Sequence, residues 1–415
     1  MNAESQEFRI SVRGLGLGMF VARLDRPWIG SEFPLEGVKV TSEQQIQELQ
    51  RLCAFVHVDV SRGVSPDLRY VSFDDDPVVR RARGEDEIEA LRKKHWEPTS
   101  AFDSEIVDAQ HAHARLEAGI AAVMDDLHNG GKLDVDKLAE GVDTLVESIT
   151  RNPSAVPWIM ELRRNSDYSY QHALGCSVWA ATFGRHLGLE RQDLCDLAMG
   201  GLLCDVGKIR LSKELLSQPG LLVEADWTLL RSHVAAGCQI VENTPGLSAN
   251  VVAMVAHHHE RHDGSGYPNG LRGAEIPMFA RIIGLIDSYD AMTSTRPYAA
   301  SRSPHQAVMD LYQSRDRLFQ AELVEQFIRT CGIYPTGSMV ELTNGAVGVV
   351  MSVDSLKRLR PCLMLLLDED KQPLPEFRPL DLNQVREDEH QRPLNIKCSL
   401  PRGAYGIDPA ELFLD

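Results

Sequence analysis

The sequence predicts a mainly α protein in which an all-helical domain is flanked by small β-rich N- and C-terminal units. Three observations lead to this. Through residues 157–332 apolar residues recur at three-four spacing, the period of helices with one buried face. Before Phe73 short stretches alternate apolar and polar residues. After Tyr334 the alternation returns, around an Asn-Gly pair. A chain of 415 residues exceeds the usual single domain, so two or three are expected.

In chain order, residues 1–73 read as a small β-rich unit with strands at FRISV, GMFVARL and CAFVHVDV. The GLGLG run from Gly14 to Gly18 lacks the spacing of a dinucleotide fingerprint and reads as a strand-turn element. Residues 74–156 begin with RRARGEDEIEALRKK, a solvated linker or exposed helix by composition. A helical hairpin follows, Ser104 to Leu127 and Leu133 to Thr150, turning at HNGGK. His111 and His113 lie two apart on it and are expected at its surface. In the helical domain, 157–332, helices are predicted for Tyr170 to Leu187, Arg191 to Cys204, Ala225 to Asn243, Ser248 to His258, Met278 to Thr293, Ser303 to Tyr312 and Ala321 to Cys331. Ser303, Pro304 and Gln306 read as an N-cap, a first-turn proline and a capping-box partner. Residues 333–415 read as a β-rich unit in which SMVEL and AVGVVMSV meet at a type I′ turn on Asn344-Gly345, and RPCLMLLLD adds a strand.

Composition narrows the partners. With 43 basic and 60 acidic residues the net charge is -17, which excludes a non-specific grip on nucleic acid or anionic lipid. A phosphate-bearing substrate would then need local cations. The eight cysteines contain no CxxC pair and read as reduced thiols of a cytoplasmic protein. The start MNAESQEFRI has no signal-peptide pattern, and no apolar run approaches the roughly 18 residues of a membrane span.

The chemistry concentrates at AHHHERHDGSGYPNG, from residue 256, which holds four of the fourteen histidines. With residues elsewhere in the helical domain it supplies candidate metal ligands: His172, Asp205, His233, His258, His259 and Asp287. Imidazoles mixed with carboxylates suit iron, manganese or zinc better than calcium. Six donors exceed one four-coordinate site, whereas two ions sharing a carboxylate would use them. Asp205, after an apolar helix in LLCDVGK, is the candidate bridge. Two ions about 3.5–4 Å apart can activate water and neutralise a phosphoryl oxygen, the needs of phosphodiester hydrolysis. Taken singly, His172 and His233 read first as hydrogen-bonded helix residues. Adjacent His258 and His259 reach one cavity only if their helix ends there. The loop from Asp263 to Pro268 is a turn by composition, and its glycines also allow a ligand close to the backbone. Tyr267 could set an aromatic face against a nucleobase.

HHERHDGSGYP, preceded by CDVGK and followed by IDSYDAMTSTRPY, resembles the HD-GYP domain, a branch of the HD metal-dependent phosphohydrolases whose characterised members cleave cyclic di-GMP. The resemblance runs from about Tyr168 to Phe327, and the residues before Phe73 look like a small domain often found ahead of such modules. It implies an all-helical HD-type fold and two divalent ions, iron or manganese, on His172, Asp205, His233, His258, His259 and Asp287. It implies catalytic roles for Asp205 and Lys208, and substrate contacts from Lys208, Tyr267 and Arg296. The implied reaction yields the linear dinucleotide pGpG, with GMP as a further product. The implied partners are cyclic di-GMP, diguanylate cyclase (GGDEF) domain proteins and a second copy in a homodimer. Bottom-up, Lys208 would meet a phosphate as a point charge, and Arg296 would grip one through parallel donors.

The chain departs from the pattern at three positions. Cys204 stands where the His of the His-Asp pair belongs, as a replacement thiolate ligand or as packed core. Tyr168 takes the place of a glutamate that holds a third ion in some members, so two ions are the upper expectation. Ala299 replaces a basic residue after RPY. Cys204 and Ala299 also fit a second reading, a degenerate domain that senses cyclic di-GMP or binds proteins without turnover.

Overall fold

The computed structural model describes residues 7–25, 37–60, 62–67, 70–71, 82–162, 168–218, 223–294, 302–352, 360–401 and 403–407. They form two compact units: the described residues up to 71 together with those from 331 onward, and those between 82 and 330. The two β-rich ends of the chain therefore share one unit.

In that unit β1 (Glu7–Ser11), β2 (Phe20–Leu24), β3 (Val38–Lys39) and β4 (Phe55–Asp59) make an antiparallel sheet of order β1-β4-β2-β3. A helix not predicted from the sequence, α1 (Glu43–Leu52), covers it. Its start is fixed by Ser42, whose hydroxyl accepts the Gln45 N–H, and it buries only Ile46 and Leu49. The second sheet, of order β8-β7-β6-β5-β9, comprises β5 (Met339–Leu342), β6 (Val347–Ser352), β7 (Cys362–Leu367), β8 (Pro373–Asp381) and β9 (Ile396–Leu400). The β5-β6 hairpin forms at Asn344-Gly345, but only Gly345 has a positive φ (100°), and Leu342 C=O accepts the Gly345 N–H at 2.9 Å. A type I′ turn needs positive φ at both central residues, so the connection is a longer turn closed by glycine. Buried Asn395 ties the ends together. It donates to Gly63 C=O at 2.6 Å and accepts from Ser65 Oγ at 3.1 Å.

The second unit is helical: α2 (Ala82–Leu91), α3 (Phe102–His128), α4 (Asp136–Arg151), α5 (Ala155–Leu162), α6 (Tyr168–Leu187), α7 (Arg191–Leu203), α8 (Lys213–Ser217), α9 (Glu224–Arg231), α10 (His233–Glu242), α11 (Ala249–His257), α12 (Met278–Thr293), α13 (Pro304–Gln313) and α14 (Ala321–Cys331). The charged segment before Pro98 is helical in α2, where Glu87 pairs with the buried Arg281 of α12 at 2.9 and 3.0 Å. The predicted α3-α4 hairpin forms, yet His113 is fully buried in it, not at the surface. The Ala225 to Asn243 segment breaks at Ser232 into α9 and α10. Ser303 caps α13 by accepting the Gln306 N–H, while the Gln306 side chain turns to Asp310 and closes no box.

The core is built on α6, which packs against α7 so closely that a Cβ on Gly201 would lie 2.6 Å from the Cys176 carbonyl carbon. Trp179, Phe183, Tyr289 and Phe327 interlock edge to face from α6, α12 and α14. This packing fixes α6 and α12, the two helices that carry His172 and Asp287. Among the described residues no helix is long and apolar enough to cross a membrane.

Candidate metal centre

The six proposed ligands come from five places and meet in one cleft. His172 projects from α6 and Asp287 from α12. Asp205 follows the end of α7, where the chain tightens into a 3-10 turn. The break at Ser232 makes His233 the first residue of α10. Helix α11 ends at His257, so His258 caps it and His259 follows outside. With the helix ended, the two rings lie 4.1 Å apart between centroids and both reach Asp205.

Asp205 is the hub. Its Oδ1 lies 3.3 Å from His233 Nε2 and 3.8 Å from His258 Nε2, and its Oδ2 lies 3.5 Å from His172 Nε2. Asp287 reaches His172 Nε2 at 3.0 Å through Oδ1 and His259 Nδ1 at 3.9 Å through Oδ2. Donor atoms of Asp205, His233, His258 and His259 all fall within 4.8 Å of one another, as do those of His172, Asp205 and Asp287. Donors around one tetrahedral ion with bonds near 2.1 Å stand about 3.4 Å apart, so both sets have the right scale.

The tautomers show why a cation fits. Nδ1 of His233 lies 2.6 Å from Leu230 C=O, and Nδ1 of His258 lies 3.0 Å from Val255 C=O. Each Nδ1 therefore carries a proton, so that in the neutral ring Nε2 keeps its lone pair. Yet these two atoms face each other at 3.4 Å, beside Asp205 Oδ1, a buried oxygen without a hydrogen-bond partner. Three electron-rich atoms converging this closely need positive charge among them, a shared proton or, in its place, a metal cation.

The protonation equilibria agree in part: burial would lower His258, but Asp205 outweighs it and raises the imidazole, so that without an ion this ring tends to keep a second proton that a bound cation would displace. Burial holds His233 below the ordinary imidazole value and His259 well below it, so both are neutral and able to ligate. Burial would raise Asp205, but Lys208, His258 and His233 outweigh it and keep the carboxyl well below its usual range. Burial would also raise Asp287, and His172 reverses that. For His172 itself burial is overcome by the bonds to Asp287 and Asp290, which lift the imidazole to about 10. Lys208 Nζ lies 2.5 Å from Asp205 Oδ2.

Two functional positions had escaped the sequence reading. Asp290, fully buried one turn after Asp287, lies 2.8 Å from His172 Nδ1 and orients that ring. The i,i+3 carboxylates of IDSYD are the signal that marks it. Buried Glu260 accepts the N–H groups of Asn269 at 2.7 Å and Leu271 at 3.0 Å, stapling the loop that carries Tyr267. Within that loop Gly266 is obligatory, because a Cβ there would lie 2.4 Å from Arg261 N. Tyr267 stacks on His259 at 4.7 Å and 28°.

Cys204 belongs to neither donor set. It is buried, donates to Gly201 C=O at 3.4 Å and touches the thiol of Cys176, so it is packed into the α6-α7 contact. His257 and His262 likewise join neither set. Arg296 and Ala299 lie outside the described residues.

Comparison with known proteins gives the class. Residues 155–323 match the HD domain family, residues 7–138 a domain of unknown function, and residues 339–387 a KOW domain associated with the HD domain. Residues 155–323 of the helical unit thus match an HD domain, while its first helices, up to residue 138, fall within the match to the domain that precedes it. More particularly, the relatives that the chain resembles are cyclic dinucleotide phosphodiesterases. It is 29% identical over 89% of its length to the cyclic di-GMP phosphodiesterase PA4108 of Pseudomonas aeruginosa, covering 87% of that protein. It is 35% identical over 38% of its length to the cyclic di-GMP phosphodiesterase response regulator RpfG of Xanthomonas campestris, covering 44% of it. Over 33% of its length it is 35% identical to 3'3'-cGAMP-specific phosphodiesterase 3 of Vibrio cholerae, covering 29% of that protein.

Proposed function

We propose that the protein is a metal-dependent phosphodiesterase that opens cyclic di-GMP to linear pGpG and, by a second hydrolysis, yields GMP. The observation that carries this is the convergence of His172, Asp205, His233, His258, His259 and Asp287 around an unpartnered carboxylate oxygen, beside a loop that presents Tyr267. Relatives named as cyclic di-GMP phosphodiesterases support the substrate, PA4108 over most of both chains.

In this reading Asp205, His233, His258 and His259 would hold one divalent ion and His172, Asp205 and Asp287 a second, iron or manganese by their mixed nitrogen and oxygen donors. Bound there, the pair supplies Lewis acidity toward water and the phosphoryl oxygens. The protein does the rest. Asp205 belongs to both donor sets and would serve both ions, and Asp287 and Asp290 fix His172 with Nε2 inward. Lys208 donates from Nζ to a phosphoryl oxygen and so meets charge that grows on phosphorus. Tyr267 presents ring and hydroxyl to the nucleotide, and Arg296 is assigned a phosphate grip. The reading includes a GGDEF-domain partner, a homodimer and a cytoplasmic setting, the last suited by eight free cysteines.

The test is direct. Protein loaded with Mn(II) or, under reducing conditions, Fe(II) is incubated with cyclic di-GMP and, in parallel, 3'3'-cGAMP, and products are separated chromatographically. Release of pGpG is expected, and it should stop when Asp205 is replaced by Ala. Inertness toward cyclic di-GMP at full metal content refutes the reading, and preference for 3'3'-cGAMP corrects its substrate.

A further inference from the structure

We infer that Arg231 is a substrate-binding residue that takes the second phosphate of the cyclic dinucleotide, the one not being hydrolysed. The inference rests on the proposed activity and adds a residue to the site. Arg231 ends α9, two residues before His233, and its guanidinium carbon lies 5.4 Å from the centre of the Tyr267 ring. Tyr267 in turn stacks on His259, whose Nδ1 faces Asp287. The sequence of groups Asp287, His259, Tyr267, Arg231 thus leads outward from the donor cluster to a cation at the rim.

Its state suits a ligand. The side chain is half exposed, and its ion-pair partner among the described residues is Glu224 at 4.0 Å, itself 83% exposed. Such a pair is weak and leaves most guanidinium donors available. The ring beneath it restricts the guanidinium plane, which favours the two-pronged grip of a phosphate. Need points the same way. A cyclic dinucleotide brings two negative phosphates to a cluster that presents Asp205 and Asp287, in a chain of net charge -17. Lys208 lies against Asp205, on the cluster, where it can serve the phosphate being cleaved but not one held farther out.

The experiment compares wild type, Arg231→Gln and Arg231→Lys on cyclic di-GMP and on bis(4-nitrophenyl) phosphate, a diester with one phosphate, with metal content measured for each. For Arg231→Gln, KM for cyclic di-GMP should rise about 10- to 100-fold, the range for a lost charge-assisted hydrogen bond, with a much smaller change in kcat. The ratio of kcat/KM between the two substrates should fall at least about tenfold. Arg231→Lys should recover part of it, since a point charge replaces a fork. Equal losses on both substrates, or loss of metal, would show that Arg231 only supports Tyr267 or His233 and overturn the inference. So would an unchanged KM. If wild type cleaves the small diester but not cyclic di-GMP, the proposed activity is what has failed, and the inference falls with it.

Discussion

Replacing Asp290 by Asn tests whether the donor cluster depends on the carboxylate behind it. Asp290 accepts the His172 Nδ1–H at 2.8 Å and the Ser294 hydroxyl at 3.1 Å, wholly out of water. Room for it exists because residue 175 is Gly: a Cβ there would lie 2.1 Å from Asp290 Oδ1. Asparagine keeps the shape but can turn its NH2 toward Nδ1, which places the imidazole proton on Nε2 and removes the lone pair with which His172 would hold an ion beside Asp205 and Asp287. Loss of such a supporting partner weakens metal binding about 10- to 100-fold, or about 1.4–2.8 kcal/mol. The loss should be confined to the set His172, Asp205 and Asp287, because His233 and His258 are oriented by the carbonyls of Leu230 and Val255. Equilibrium dialysis against buffered Mn(II), with metal counted by mass spectrometry, should therefore show wild type approaching two ions per chain where Asp290→Asn approaches one. Gly175→Ala, which crowds the same carboxylate from α6, should reproduce the defect. Two ions bound with unchanged affinity in a folded Asp290→Asn protein would refute this account of how His172 is held.

Further outcomes follow from the same geometry. Cys204→Ser should leave Mn(II) content unchanged, because the thiol faces Gly201 and Cys176 and not the donors; a lost ion would make it a ligand. Glu260→Gln, which keeps one acceptor where two backbone N–H groups need one each, should expose the 263–270 loop to limited proteolysis while metal content holds, and equal resistance would deny the staple. Glu105, 1% exposed, would be raised by burial, but Arg151 and Ser148 outweigh that and hold its folded carboxyl below the ordinary 4.5. Its stabilisation is thus present above pH 4.5 and lost as pH falls through the depressed folded value. Glu105→Gln should cost about 1.5–3 kcal/mol near neutrality, with the Tm gap to wild type closing in acid, and a gap independent of pH would contradict the ion pair.

The long helices were legible because each has a wide apolar face: Met278–Thr293 and Ala321–Cys331 were read to the residue. Where only two apolar residues face inward, as in α1 with Ile46 and Leu49, the period is too sparse to stand out beside strands of alternating polarity. The break at Ser232 escaped for a different reason. Ser232 keeps helical backbone angles (φ -65°, ψ -14°), so the hydrophobic pattern runs on while the hydrogen-bond ladder shifts. Site residues with a motif around them could be named from the chain alone, whereas Asp290 and Glu260 act on groups fixed only once the chain is folded. His113 misled because a lone polar residue on a helix says nothing about which neighbours cover it.

Lys208 shows what the folded arrangement adds to that reading. By sequence it is a cation three residues after an acid. In the structure it sits 2.5 Å from Asp205 Oδ2, the oxygen that also lies 3.5 Å from His172 Nε2. Lys208 and a divalent ion on His172, Asp205 and Asp287 therefore compete for one carboxylate oxygen, and at such separations in a buried cleft the doubly charged ion attracts it more strongly. With an ion held there Lys208, 29% exposed, would share Asp205 Oδ2 with it, and its ammonium would be free to turn toward a phosphate at the edge of the cluster. Metal and substrate are then linked through one side chain: each ion that takes the carboxylate makes the lysine available, and by reciprocity a bound phosphate that engages the lysine makes the carboxylate a better ligand.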